Sequence, residues 1–121
     1  SFLSLPGYHA LLGHPRLGAS WEGLAVEQIL QHFRPREAFF WRAHSGAEID
    51  LFFHHHGRRL GFEVKFSEAP SISRSMKAGA ADLHLDHLWV VHPGPNCYPV
   101  ESNITVIPLY EIPTLSVVRG K

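Results

Sequence analysis

Hydrophobic positions along the chain fall into two helical stripes and five short strand-like runs separated by turn residues. Trp21, Leu24, Ala25, Ile29 and Leu30, with Phe33 close by, recur at helical spacing. Ser20, followed by Glu22 and Gly23, offers a start, and Pro35 stops the run because its ring cannot continue a helix. The spacing predicts a helix over about residues 20–33. Three strand-like runs come next: Ala38 to Ala43, rich in aromatics, then Glu48 to Phe53, then Leu60 to Phe66. Turns at Ser45-Gly46 and His56-Gly57-Arg58 join them, and connections this short imply an antiparallel meander.

Beyond Pro70, Ile72, Met76, Ala80 and Leu83 share one helical stripe, with Arg74 and Lys77 on another. This second helix is the weaker one, because Gly79 interrupts it and serine is frequent. His87 to His92 reads as a buried strand closed by Pro93-Gly94-Pro95. Residues 96–103 read as a polar loop, Ile104 to Leu109 as a last short strand, and the tail decays through Pro113 into a polar end. Residues 1–18, with Pro6, Gly7, Gly13, Pro15 and Gly18, read as an irregular lead-in, which leaves 19–121 as one domain. The order of elements predicts an α/β fold of the α+β kind, a mixed central sheet flanked by helices.

Composition narrows the function classes. At 121 residues and 13.6 kDa the chain has the size of one domain, and 45% hydrophobic residues supply a core. Eleven Lys plus Arg balance eleven Asp plus Glu, so the formal charge is zero and the pI near 7.2. That argues against coating nucleic acid by bulk charge, while leaving room for a local basic patch. Cys97 is a lone cysteine and cannot form an internal disulfide. No apolar run reaches the roughly 18–20 residues that span a bilayer, and the start at Ser1 carries no signal-peptide pattern. The expectation is a cytoplasmic domain, cut from a longer parent and without a membrane segment.

Candidate chemistry comes from the second and third strand runs. Side chains two apart on a strand share a face. Glu63 and Lys65 therefore point one way, and Phe62, Val64 and Phe66 point into the core. On the preceding strand, Glu48, Asp50 and Phe52 share a face, and Ile49, Leu51 and Phe53 share the other. Pairing through the turn near Gly57 sets Asp50 and Glu63 on neighbouring strands, about 4.8 Å apart and close enough to grip one divalent cation. Lys65 then lies roughly 7 Å along the strand. Mg²⁺ takes carboxylate oxygens, keeps several waters and is completed by substrate phosphates. It lowers the pKa of a bound water, and a lysine beside it can orient that water or stabilise transition-state charge. The same three residues also fit a cross-strand ion pair on a solvated face, contributing under about 1 kcal/mol.

Other residues are read more plainly. Glu22 suits a helix first turn, where the dipole favours a carboxylate. Glu48 shares the face expected for Asp50 and is an alternative ligand. Trp41 reads as core before it reads as a base-stacking surface, and Arg42 as a solvated charge before a phosphate contact. The run His54-His55-His56 sits at a hairpin turn, and three adjacent strand residues cannot all face one ion.

The segments Gly18-Ala19-Ser20-Trp21-Glu22, Trp41-Arg42, Gly46-Ala47-Glu48-Ile49-Asp50 and Glu63-Val64-Lys65 resemble the PD-(D/E)XK nuclease superfamily. More narrowly, they resemble the domain of unassigned function at the C-terminus of many prokaryotic AAA-type ATPases, over about residues 13–115. The resemblance implies a restriction-endonuclease-like core of helix, three-strand meander, helix and strand. It implies Asp50, Glu63 and the backbone carbonyl of Val64 as ligands of Mg²⁺ or Mn²⁺, with Lys65 positioning the attacking water. Glu22 would lie at the edge of the site, on a second metal. A polar residue on the following helix, from among Ser71, Ser73, Arg74 and Lys77, would complete it.

The expected activity is hydrolysis of phosphodiester bonds in nucleic acid, DNA foremost. The expected partner is an N-terminal ATPase domain of the parent chain, and a homo-oligomer is compatible with the sequence. The ATPase portion is implied by resemblance alone, since no Gly-x(4)-Gly-Lys-Ser/Thr loop occurs in these residues. The alternative is a non-catalytic accessory module that docks protein or DNA for that ATPase.

Overall fold

Residues 2–4 and 20–116 are described in a computed structural model of the chain. Ser20 caps α1 (Trp21–Phe33), its hydroxyl accepting from the Gly23 N–H at 3.2 Å and satisfying a donor that a helix start otherwise leaves unpaired. Arg34 ends the helix in the left-handed region, φ 50°, with its N–H returned to the Leu30 carbonyl at 2.8 Å. The chain thus leaves the helix one residue before Pro35, where the α conformation is disfavoured.

The meander follows as β2 (Phe39–Arg42), β3 (Glu48–His55) and β4 (Arg58–Val64). The β3–β4 turn is only His56-Gly57, and both residues have positive φ, 51° and 79°, as a tight hairpin matched to strand twist requires. α2 (Arg74–Asp82) carries the chain over to β5 (His87–His92), then β6 (Tyr98–Glu101) and β7 (Ile104–Pro108). A 3-10 helix, Leu109–Thr114, closes the described residues.

The six strands between Phe39 and Pro108 form one sheet in the order β2-β3-β4-β5-β7-β6. β2, β3 and β4 are antiparallel, β4–β5 and β5–β7 are parallel, and β6 is antiparallel to β7. A further strand, β1 (Phe2–Ser4), pairs antiparallel with β2 at the sheet edge. On one face α1 contributes Ala25, Val26, Ile29, Leu30 and Phe33 to a core with Phe53, Phe62, Val91 and Ile107. On the other, Met76 and Ala80 of α2 and Leu83 beyond it pack on Ile49, Phe52, Leu88 and Val90. Burying each of these side chains larger than alanine contributes roughly 1.5–3 kcal/mol, so both helices are held by the sheet rather than by propensity. The fold is α+β, with a mixed central sheet between helices.

Three segments differ from the pattern-based expectation. β1 lies inside the stretch read as irregular lead-in; the rest of that stretch, and residues 117–121 of the polar tail, fall outside the described residues. β6 occupies part of the polar loop 96–103, and all four of its residues are exposed, so no buried alternation marks it. Its Pro99 is tolerated because the strand is at an edge. The tail is tied down at the 3-10 helix, where Ile112 is completely buried in the α1-side core. Among the described residues, no helix is long and apolar enough to cross a membrane.

Candidate functional site

The β3–β4 ladder runs from His55 opposite Arg58 to Leu51 opposite Phe62. One step further, Asp50 faces Glu63, and there side chains replace the backbone pairing. The Asp50 N–H donates to Glu63 Oε2 at 2.8 Å, and the Val64 N–H donates to Asp50 Oδ2 at 3.0 Å. Each carboxylate thus uses one oxygen to do what a strand carbonyl would have done. The pair stands at the end of the sheet where the parallel strands β4, β5 and β7 terminate, the end at which open α/β sheets hold their ligands.

A bulge brings Asp50 there. Phe39 pairs with Phe52 and Trp41 with Ile49, so Phe40 alone on β2 stands opposite both Asp50 and Leu51 on β3. The extra residue resets the alternation. Ile49 and Phe52 pack into the α2-side core, while Leu51 and Phe53 pack into the α1-side core. The expected grouping of Ile49, Leu51 and Phe53 on one face is therefore corrected by one residue. Bulges of this kind locally re-aim a side chain and recur beside functional sites.

Glu63 is 3% exposed. Phe62 and Val64 on either side face the α1-side core, so Glu63 stands on the α2 face with its β5 partner Val90. Burial, then the Asp50 charge, push its carboxyl up to about 8, with a further contribution from Glu48; the Asp50 N–H and the Lys65 ammonium pull it the other way. Lys65 Nζ lies 3.8 Å from Glu63 Oε1, the oxygen not bonded to the Asp50 N–H. Asp50, Glu63, Val64 and Lys65 are thus brought together.

The remaining candidates sort around them. Glu22 is half-buried in the first turn of α1, and its charge does not figure among those acting on Glu63. Its neighbour Trp21 nevertheless lies against Phe66, ring centroids 5.7 Å apart and planes tilted by 46°, which brings the start of α1 to the end of β4. Glu48 is paired with Arg42 at 3.4 Å. Of the polar residues near α2, Ser73 caps the helix through the Met76 N–H at 3.2 Å, and Lys77 pairs with Glu101 at 2.9 Å. Ser71 and Arg74 are exposed. Trp41 is buried, as its reading as core expects. Burial, and then Glu111, push the Cys97 thiol up, which does not favour a reactive thiolate.

Two neighbours of the site were not legible as such. Phe66, expected in the core, is 68% exposed, because β4 ends at Val64 and the alternation stops with it. His92 is fully buried at the end of β5, where Nδ1 accepts from the Gly94 N–H at 3.0 Å and Nε2 donates to the Asn96 carbonyl at 2.7 Å. It shapes the turn that packs on Glu68: a Cβ on Gly94 would stand 3.0 Å from the Glu68 carbonyl oxygen.

Among the described residues, no group of three or more His, Cys, Asp and Glu side chains is arranged to hold an ion. Two carboxylates with a backbone carbonyl remain, which suits Mg²⁺ or Mn²⁺ completed by water and phosphate rather than an all-protein cage. A buried acid raised by a neighbouring acid is also a place where a cation is electrostatically welcome.

Two relatives are each 41% identical to the chain over 105 residues: the uncharacterized proteins Rv2008c of Mycobacterium tuberculosis and Mb2031c of Mycobacterium bovis. The matched region covers 87% of this chain but only 24% of either relative, so the chain spans about a quarter of their length. No solved structure matches. Neither the family description nor the relatives' names mention a nuclease. With a family model matched across residues 17–112, the protein belongs to the family described as Domain of unknown function (DUF4143).

Proposed function

We propose that the chain is a metal-dependent nuclease-like domain that hydrolyses phosphodiester bonds in nucleic acid, DNA foremost, within a longer protein carrying an AAA-type ATPase. The carrying observation is the meeting of Asp50, Glu63 and Lys65 where the β3–β4 ladder gives way to carboxylates. Asp50, Glu63 and the Val64 carbonyl would hold Mg²⁺ or Mn²⁺. When bound, that cation supplies Lewis acidity and offsets charge on the phosphoryl group. Lys65, with its side chain 45% exposed, reaches past Glu63 to orient the attacking water and stabilise charge on the non-bridging oxygens. The bonds from the Asp50 and Val64 amides fix both carboxylates in place, the rigidity a catalytic constellation needs.

Cleavage of labelled single- and double-stranded DNA and RNA with Mg²⁺ or Mn²⁺, beside Asp50→Ala and Lys65→Ala, tests this reading. Metal-dependent cleavage lost in both variants supports it. Absence of both cleavage and metal binding overturns it.

A second reading, a non-catalytic docking module of the ATPase, is favoured by one observation: both carboxylates already serve the backbone. It expects Lys65→Ala to leave the parent protein's behaviour intact and deletion of the domain to abolish it.

A further inference from the structure

We infer that the end of the β3–β4 hairpin is a phosphate-binding site, in which Arg58, His55 and His56 grip a phosphate group and His32 and His87 add positive charge around it. The carboxylate pair plays no part in it. Arg58 lies at the opposite end of β4 from Glu63, an odd number of residues away and therefore on the other face of the sheet.

The cationic groups converge from α1, the hairpin and β5. His55 stands directly opposite Arg58 in the ladder. The His55 and His56 rings meet edge to face, with centroids 4.7 Å apart. His32, in the last turn of α1, and His55 both contact the Phe33 ring, at 4.9 and 5.2 Å. His87 opens β5 opposite Leu60, and Arg58, two residues before Leu60, shares its face. Burial, then the charges of His56, His32 and Arg58, lower the His55 imidazole from its ordinary value; burial, then Arg58, lower that of His87. No carboxylate figures in either set.

The charged groups next along the chain are engaged elsewhere. Arg59 donates to the Leu83 carbonyl at 2.9 Å, and Asp86 accepts from the Arg59 N–H at 2.7 Å. The exposed Arg58 guanidinium makes no hydrogen bond or ion pair among the described residues. Like charges directly opposite one another destabilise a ladder, and a bound anion would offset that repulsion. His55 Nε2 is moreover buried without a hydrogen-bond partner. Turning the ring about its Cβ–Cγ bond would carry this nitrogen toward an acceptor beside Arg58 and remove the cost of leaving it unpaired.

A metal ion does not suit these histidines, because Arg58 repels it and no carboxylate compensates. A phosphate does. The guanidinium fork matches two of its oxygens, and the His55 and His56 N–H groups reach others. A carboxylate would have both oxygens taken by the fork alone. His32 and His87 contribute charge rather than bonds, since their Nε2 atoms are held at 2.8 Å by the Leu115 carbonyl and the Thr105 hydroxyl.

The test is histidine-ring NMR of the full chain, titrated without divalent cation with inorganic phosphate and, separately, with an oligothymidine strand. The His55 and His56 resonances should shift saturably, while the exposed His44 and His84 stay in place. Arg58→Gln should weaken binding by about tenfold or more, the loss expected for one bidentate charge-assisted pair, and Arg58→Lys should fall between. Affinity for oligothymidine, whose own charge is constant, should decline from about pH 5 to about pH 8 as the imidazoles lose their protons.

Equal affinity for the two probes assigns the site to a small phosphate compound, and much tighter binding of the strand assigns it to a nucleic-acid backbone. Failure of both to bind, unaltered affinity in Arg58→Gln, or equal shifts at His44 and His84 overturns the inference. Metal-dependent cleavage bears on none of these outcomes.

Discussion

Asp50 and Glu63 are joined through a backbone amide rather than through their charges: the Asp50 N–H donates to Glu63 Oε2 at 2.8 Å. The like-charge contact is thereby built into the strand pairing. Asp50 returns the arrangement by accepting from the Val64 N–H at 3.0 Å. Removing either side chain consequently disturbs the sheet as well as any chemistry.

Asp50→Ala should leave the Val64 amide without its acceptor and destabilise the protein by about 1–3 kcal/mol. Asp50→Asn keeps an oxygen at that position and should cost less. Urea unfolding of both variants checks this. An alanine variant as stable as wild type would show that the bond adds nothing to stability.

The pH dependence follows from Glu63. Its carboxyl is raised in the folded protein from an ordinary value near 4.5 to about 8, chiefly by burial and then by Asp50. Between those values the folded protein holds a proton that the unfolded chain releases. The associated stability is fully present below the lower value and is lost as pH rises through the upper one. The melting temperature should therefore fall across that window in wild type and fall less steeply in Glu63→Gln. Parallel profiles in the two proteins would refute the assignment to Glu63.

Divalent cation and proton should compete for the same carboxyl. Affinity for Mg²⁺ or Mn²⁺ is expected to rise with pH up to about 8, with release of a proton on binding below it. Calorimetry in buffers of different ionisation enthalpy reads the proton directly. Glu63→Gln should abolish both binding and release, and binding that ignores pH would place the ion elsewhere.

Gly79 tests how α2 sits on the sheet. A Cβ there would stand 2.8 Å from Ile49 Cγ1 and 3.2 Å from the Glu48 carbonyl oxygen. Gly79→Ala gains about 1 kcal/mol in helix propensity, but overpacking of this kind costs roughly 1–3 kcal/mol. The expected result is a net loss of stability, accompanied by displacement of β3 next to Asp50. Chemical shifts of the Glu48 and Ile49 amides would report it, and a stabilised, unshifted variant would contradict the close packing.

Much of the fold was legible because its main elements carry strong periodic signals. The α1 stripe, the His87 to His92 run and the hairpin turn at Gly57 each follow from residue type and spacing. The juxtaposition of Asp50 and Glu63 followed from the same arithmetic, counted outward from that turn. What escaped was whatever periodicity does not encode. β6 is exposed along its length and carries no buried face. Phe66 looks like the next core position of a strand that has already ended. Two of the polar α2-side candidates are occupied locally, Ser73 by the helix cap and Lys77 by Glu101, and spacing alone cannot show such pairings.

The bulge opposite Phe40 makes the position of Asp50 a matter of residue count as much as of residue identity. Leu51 to His55 are phased by β4, whereas Glu48 and Ile49 are phased by β2, and the extra residue absorbs the mismatch between the two frames. Deleting one residue between Ile49 and Phe52 would force a choice between those frames. Either Ile49 would slip out from beneath Gly79, or the carboxylate would turn away from Glu63. A site assembled in this way tolerates exchange of its neighbours more readily than a change in their number.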